Sequence, residues 1–415
     1  MHLIRRLGPF AILLVLVFLS LAALGAATIA PVTRIQPPLT VHEWGTFTTI
    51  AGRDGQAEHW APLYGSDDLP CFVERFSFDG KGSLGGLVRM ETPVLYFYAS
   101  DELMVNVHVG FHRGAITEWY PQAAVFPRTV PAGALSRSFE SAATWSNVKV
   151  MPSATSAQFP VEAGKSHYYL ARETDAAPVQ IGRQVEKFLF YRGVGGFQPP
   201  ITAMLTTDRT VPDPSITVTS ITGEPLGDLI VFENRAGKMG YQVQQFAERE
   251  GTMAMPTLTD GASLPTDELE QILIARGLFP KEAKAMVDTW RDSWFEDGVR
   301  LFYIAPRSAI DAVLPLTITP EPEEIARAFV GRIELITPRI EQEARRAIDA
   351  GDRTALAKYG RFLSNIANRV RMKADEQNSA LSSIYNAQWR ARRPCESRPT
   401  TQLPPQITES VLAKH

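Results

Sequence analysis

Cysteine is nearly missing: Cys71 in "DLPCFV" and Cys395 in "RRPCESRP" are the only two in 415 residues. Neither a cysteine-rich metal module nor a disulfide-dense scaffold can be built from them. Charge of one sign is lacking too. The 42 Lys and Arg against 45 Asp and Glu leave a formal net charge of −3, which gives nucleic acid no footprint to bind. No Gly-x-Ser-x-Gly elbow occurs, and no segment repeats. The one glycine-rich stretch, "RGVGGFQPP", runs into Pro199 and Pro200 where a phosphate-binding helix would have to begin. It reads as a turn.

What is present begins with a leader. Arg5 and Arg6 precede an apolar run from Phe10 to Ala30, and Gly25, Ala26 and Ala27 offer a small-residue cleavage pattern before Thr28. That is the layout of a secretory signal peptide. The run also approaches the roughly 20 residues that span a bilayer, so an uncleaved transmembrane anchor over residues 10–30 stays open as the alternative. On either reading the remainder is expected outside the cytoplasm, periplasmic or extracellular, with the membrane as a partner only through that segment. In such an oxidising compartment Cys71 and Cys395 are expected to form a disulfide.

The rest reads as an α+β chain, an N-terminal β-sandwich-like region packed against a helical C-terminal region. Residues 40–250 are strand-rich, as one or two units, with "TPVLYFYAS", "SHYYLARET", "VEKFLFYRG" and "DLIVFENR" as short β-branched and aromatic runs. In "LMVNVHVGFH", Val105, Val107, Val109 and Phe111 share one face, the alternation of a half-buried strand. Residues 262–393 read as mostly helical with one strand near 299–305, and "EEIARAFVGRIELI" is taken as helix. Residues 394–415 form an extended tail.

The segments "HEWGTFT", "DLPCFV", "ETPVLYFY", "ITEWYPQA", "KFLFYRGVG", "MVDTWRDSWF" and "FVGRIELITP" together resemble a group of exported bacterial proteins with no assigned activity. The resemblance runs across nearly all of the chain after the leader. It implies export and a single evolutionary unit, and it implies no catalytic residue.

Several constellations carry candidate chemistry. His42, Glu43 and Trp44 stand side by side, but on a strand neighbouring side chains point to opposite faces, so His42 and Glu43 could not share a proton directly. Glu118 lies beside Trp119 and Tyr120, the furnishing of a sugar site. With Glu43 it would make a glycosidase pair if the two came within about 5–9.5 Å. Trp44, Trp119 and Tyr120 are the candidate ligand-stacking rings, although packing is the ordinary role of such rings. His42, His59, His108 and His112 are candidate metal ligands. His108 and His112 have helical zinc spacing, yet on a strand that spacing separates them by roughly 13 Å. In "MVDTWRDSWFEDG", Asp288, Asp292 and Glu296 form an acidic stripe opposite Trp290 and Trp294, the pattern of a solvated helix face over a core face. No cofactor is implied. The expectation is a non-catalytic binding or structural module of the envelope, with another envelope protein or a glycan as partner. The competing reading is an extracytoplasmic hydrolase acting on glycans, through Glu43 and Glu118 or through a His-based metal site.

Overall fold

The computed structural model describes residues 38–63, 68–76, 84–127, 135, 138–163, 166–206, 214–373 and 379. They form nineteen strands: β1 (Leu39–Ala51), β2 (Glu74–Arg75), β3 (Val88–Ala99), β4 (Leu103–His112), β5 (Gly114–Tyr120), β6 (Ala124–Phe126), β7 (Glu140–Val150), β8 (Val179–Ile181), β9 (Gln184–Glu186), β10 (Leu189–Gly195), β11 (Ile201–Thr206), β12 (Ser215–Ser220), β13 (Gly227–Arg235), β14 (Lys238–Phe246), β15 (Glu250–Ala254), β16 (Thr259–Asp260), β17 (Gly298–Ile304), β18 (Leu316–Thr319) and β19 (Glu324–Leu335). The α-helices are α1 (Thr266–Ala275), α2 (Pro280–Trp294), α3 (Arg307–Val313), α4 (Pro338–Asp349), α5 (Arg353–Ala357) and α6 (Leu363–Arg369), with 3-10 turns at His167–Arg172 and Gly360–Phe362. The chain is α+β, mostly strand, with its helices mainly toward the C-terminus.

Ten strands make a central sheet in the order β16-β14-β13-β17-β19-β1-β3-β10-β5-β2. β1 lies parallel to β19, Thr40 facing Glu324 and Ala51 facing Leu335, and antiparallel to β3. One face of this sheet packs on the sheets built by β4, β7 and β18 and by β11, β12 and β15. There Phe47, Phe97, Tyr191 and Phe329 meet Val105, Trp145, Ile216 and Val218. The other face packs on α1, α2 and the 167–172 turn through Trp44, Tyr96, Phe190, Phe302, Leu273, Val287, Trp290 and Trp294. Each large apolar side chain buried this way contributes about 1.5–3 kcal/mol. α4 and α6 cover Ile50 and Trp60 at one end.

The alternation in β4 holds: Val105, Val107, Val109 and Phe111 are fully buried, while His108 and His112 face out. β13 and β14 close through Ala236 and Gly237, both with positive φ, the backbone of a tight hairpin turn. Thr337 caps α4 by accepting from the Ile340 N–H.

Four expectations need correction. "EEIARAFVGRIELI" is β19, a strand and not a helix. It is apolar on both faces because both faces are covered, and such a run carries no period that separates strand from helix. At Gly331 a Cβ would lie 2.0 Å from the Tyr303 ring, so only glycine lets β17 and β19 pack at that point. As a result strands from the two expected regions interleave in one sheet, and the described residues belong to one compact unit beginning at Pro38. "SHYYLARET" is a 3-10 turn and not a strand, its first residues held by the Ser166 hydroxyl. No described helix is long and apolar enough to cross a membrane, and residues 10–30, where the anchor was expected, lie outside the described residues. Cys71 is disulfide-bonded, and Cys395, the other cysteine of the sequence, lies outside the described residues.

Candidate functional site

The residues singled out above do not converge. Glu43 faces the smaller sheets, where it accepts from the Tyr191 hydroxyl at 2.5 Å and from Arg327 Nε at 2.5 Å. Arg327 Nη1 also donates to Asp311 at 2.6 Å and to the Leu314 carbonyl at 2.8 Å. Glu118 faces the helices instead and pairs with Arg89 at 3.3 Å. β1 and β5 are three strand spacings apart, roughly 14 Å, and the sheet lies between the two carboxylates. No glycosidic bond can sit between them. Trp44 is fully buried against Tyr96, Tyr120 packs on Phe72, and Trp119 packs on Phe76 while its N–H reaches Glu74. All three are packing residues.

The histidines are scattered too. His42 Nδ1 lies 2.7 Å from Glu282, which also accepts from Tyr98, and the Phe279 ring covers the imidazole at 4.4 Å. His59 and His112 are exposed, and His108 pairs with the Thr144 hydroxyl at 2.9 Å in a different sheet. Among the described residues no group of three or more His, Cys, Asp or Glu is placed to hold a metal.

The fold brings together a different set of residues. On the helix-covered face, six adjacent strands each set a polar or charged side chain into one belt. These are Arg300 on β17, Arg332 and Glu334 on β19, Thr46 and Thr48 on β1, Arg89 and Glu91 on β3, Arg192 on β10 and Glu118 on β5. Register explains the alignment: Glu334 faces Arg300, Thr48 faces both Arg332 and Arg89, and Arg192 faces Glu118. Bulges explain the aim. β3 carries Thr92 and Pro93 opposite Gly45, and β5 carries an extra residue at Thr117. Thr92, a β-branched residue, has φ of 42°, a conformation such residues rarely adopt and one that recurs next to functional sites.

The charges are held on each other. Arg192 grips Asp68 through Nη1 at 2.8 Å and Nη2 at 3.1 Å. Burial pushes the Asp68 carboxyl up, but Arg192 and His167 outweigh it and hold the group well below the usual carboxylate range. Glu91, between the Thr48 hydroxyl and Arg361, is likewise brought down to about 2 against its burial. His167 bonds Asp68 and, at 2.8 Å, Asp292, and these bonds push it up to about 9 against partial burial. Arg332 Nη2 is shared by Glu296 at 2.9 Å and Glu334 at 3.2 Å.

Other atoms in the belt are left over. Arg332 Nε and Nη1, Arg192 Nε, Trp290 Nε1, Trp294 Nε1 and Thr46 Oγ1 are buried with no hydrogen-bond partner. Apart from the hydroxyl, every one of them can only donate. The belt opens toward solvent at Arg361, Asp68 and His167, whose side chains are a fifth to a third exposed. A separate surface cleft of about 590 Å³ lies by Met255, Leu258 and the start of α4, over Glu233. It contains none of these groups, and the Glu233 carboxylate is already taken by Arg235.

The sequence did carry a signal for the belt: single Arg or Glu residues inside otherwise apolar runs, as in "VRMETPVLYFY", "FLFYRGVG" and "FVGRIELI". A charge flanked on both sides by core residues is almost never fully buried unless it is paired.

No family model matches the chain, and no curated protein matches it. Among solved structures it is similar to the Fcho1 mu homology domain of Danio rerio with bound Eps15 peptide, at 7% identity and a TM-score of 0.31, over 72% of this chain and 96% of that one. It is also similar to the yeast delta-COP-I mu-homology domain complexed with a Dsl1 WxWxV peptide, at 9% identity and a TM-score of 0.28, over 72% of this chain and 97% of that one. Likeness this slight carries no argument about function.

Proposed function

We propose that this chain is an exported, non-catalytic binding module of the cell envelope, with its ligand or partner, a glycan or another envelope protein, engaged at the open end of the belt. One observation carries the reading. The acids that could do chemistry are tied to buried partners, while the groups left over in the belt are donors suited to holding something. A hydrolase needs the opposite arrangement, an acid or base left free beside a nucleophile or water. Glu43 with Arg327 and Glu118 with Arg89 read as registry pairs that fix neighbouring strands.

The test uses the full chain against paired neutral and acidic glycans, followed by calorimetry and by product analysis. Binding of acidic members is expected, weakened at least tenfold by Arg361→Ala, with no product formed. Turnover abolished by Glu118→Gln would overturn the reading.

A further inference from the structure

We propose that the cleft beside the start of α4 is a second binding site, separate from the belt, and that it takes a neutral, largely apolar small molecule carrying a carboxamide. The inference goes beyond the binding-module reading and does not depend on it.

The cleft forms where three parts of the fold meet. Leu205 comes from β11, Met255 follows β15 directly, and Leu258 stands just before β16. The end of β13 supplies Glu233 and Arg235, and the first turn of α4 supplies Arg339. Glu233 points to this side because it shares the β13 face of Leu229 and Val231, which pack toward the smaller sheets. At about 590 Å³ the space lies within the range of small-molecule sites. Three prolines complete the apolar walls, and proline has no N–H to offer a ligand. Polar recognition therefore falls mainly to the charged side chains.

Their arrangement is uneven. Glu233 is only 3% exposed, and Arg235 donates to its Oε1 twice, from Nε at 3.1 Å and from Nη2 at 2.7 Å. Arg339 Nη2 lies 3.8 Å from the same oxygen. It is buried with no hydrogen-bond partner, while the other terminal nitrogen is held by Glu343 at 2.6 Å. Among the described residues no hydrogen bond reaches Glu233 Oε2, and that atom is not sealed from solvent. The floor of the cleft thus keeps an open acceptor. The Arg235 side chain is half exposed and its Nη1 bonds no described residue, so an open donor stands beside that acceptor.

Electrostatics narrows the ligand. An ammonium group reaching Oε2 would meet two guanidiniums, and a carboxylate reaching Arg235 would meet the open Glu233 oxygen. A neutral head group avoids both repulsions. A carboxamide brings an N–H for Oε2 and a carbonyl for Arg235 Nη1, and each bond gains strength from its charged partner. The apolar remainder buries against Leu205, Met255 and Leu258.

The experiment titrates the purified full chain with three molecules that share one apolar body: naphthaleneacetamide, naphthaleneacetate and naphthylethylamine. Calorimetry and saturation-transfer NMR read the binding. The amide should bind at least tenfold tighter than either charged relative. Leu258→Trp, which sets a bulky ring in the cleft, should abolish binding while the variant melts like the parent chain. Glu233→Gln is the decisive variant. Arg235 needs an acceptor at the Oε1 position, so the new amide turns its oxygen there and leaves an NH2 where Oε2 stood. The preference should then invert, with naphthaleneacetate gaining and naphthaleneacetamide losing at least fivefold. Arg361→Ala, at the belt, should leave all three titrations unchanged, which keeps a failure at the cleft distinct from a failure of the belt. The inference falls if none of the three binds, if a charged relative binds as well as the amide, if Leu258→Trp leaves binding intact, or if Glu233→Gln weakens amide and carboxylate alike. Should Glu233→Gln fail to fold, the ranking of the three molecules and Leu258→Trp still decide.

Discussion

The two faces of the central sheet treat buried charge differently. Toward the smaller sheets, Glu43, Tyr191, Arg327 and Asp311 form a short chain in which both carboxylate oxygens of Glu43 are used and only one arginine nitrogen is spare. Toward α2, five arginines meet a similar number of carboxylates, yet a row of donors remains. A closed network holds strands in register and is worth little beyond that, since an apolar replacement of the whole pair is often as stable. An open network of donors has a cost that only an outside acceptor offsets.

The sharpest way to break the comparison is Arg327→Met. It strands Glu43 without its counter-charge and is expected to cost about 3–5 kcal/mol in chemical denaturation. The double variant Arg327→Met with Glu43→Leu should recover most of that loss, and a double variant as unstable as the single one would remove the distinction between the faces. Next in size, Gly331→Ala would press a methyl into the Tyr303 ring on the same closed face. A loss of about 1–3 kcal/mol is expected, read as a lower denaturation midpoint with an unchanged slope.

On the open face the expected effect is smaller and depends on pH. His167 is pushed up to about 9 by Asp68 and Asp292 from an ordinary value of 6.5. Its stabilisation is therefore complete below about pH 6.5 and fades as pH rises through 9. The carboxylate side runs the other way, because Glu91 contributes fully above its ordinary range and loses that contribution as pH falls toward 2. His167→Gln should flatten the melting profile between pH 6.5 and 9 by on the order of 1–2 kcal/mol, allowing for solvent around Asp292. The smallest change belongs to neither face. His108→Ala and His112→Ala, on the outward side of β4, should stay within about 0.5 kcal/mol, and added zinc should not distinguish them from the parent chain.

Part of this was legible beforehand. Strict alternation gave β4 its correct inner face, and period 2 correctly separated His42 from Glu43. The apolar face of α2 was placed correctly because an amphipathic helix advertises itself. β19 was not legible as a strand, since burial on both faces erased its period. The belt was not legible either: its members lie on six strands whose order is set by long-range pairing, and the bulges at Thr92 and Thr117 shift the faces by one residue. No local pattern could have joined Arg192 to Arg332. The buried Arg and Glu residues were visible one at a time, and only register makes them a site.

The parallel pairing of β1 with β19 also governs how the molecule is made. The ladder joins Thr40 to Glu324, so the middle of the largest sheet stays open until more than three quarters of the polypeptide has been synthesised. Before that, β1 presents one bare edge and β17 another, each a template for mispairing with a second nascent chain. A product that stops short of β19 lacks the keystone for both halves at once, so ribosomal stalling or premature termination should yield material for proteolysis and no stable fragment.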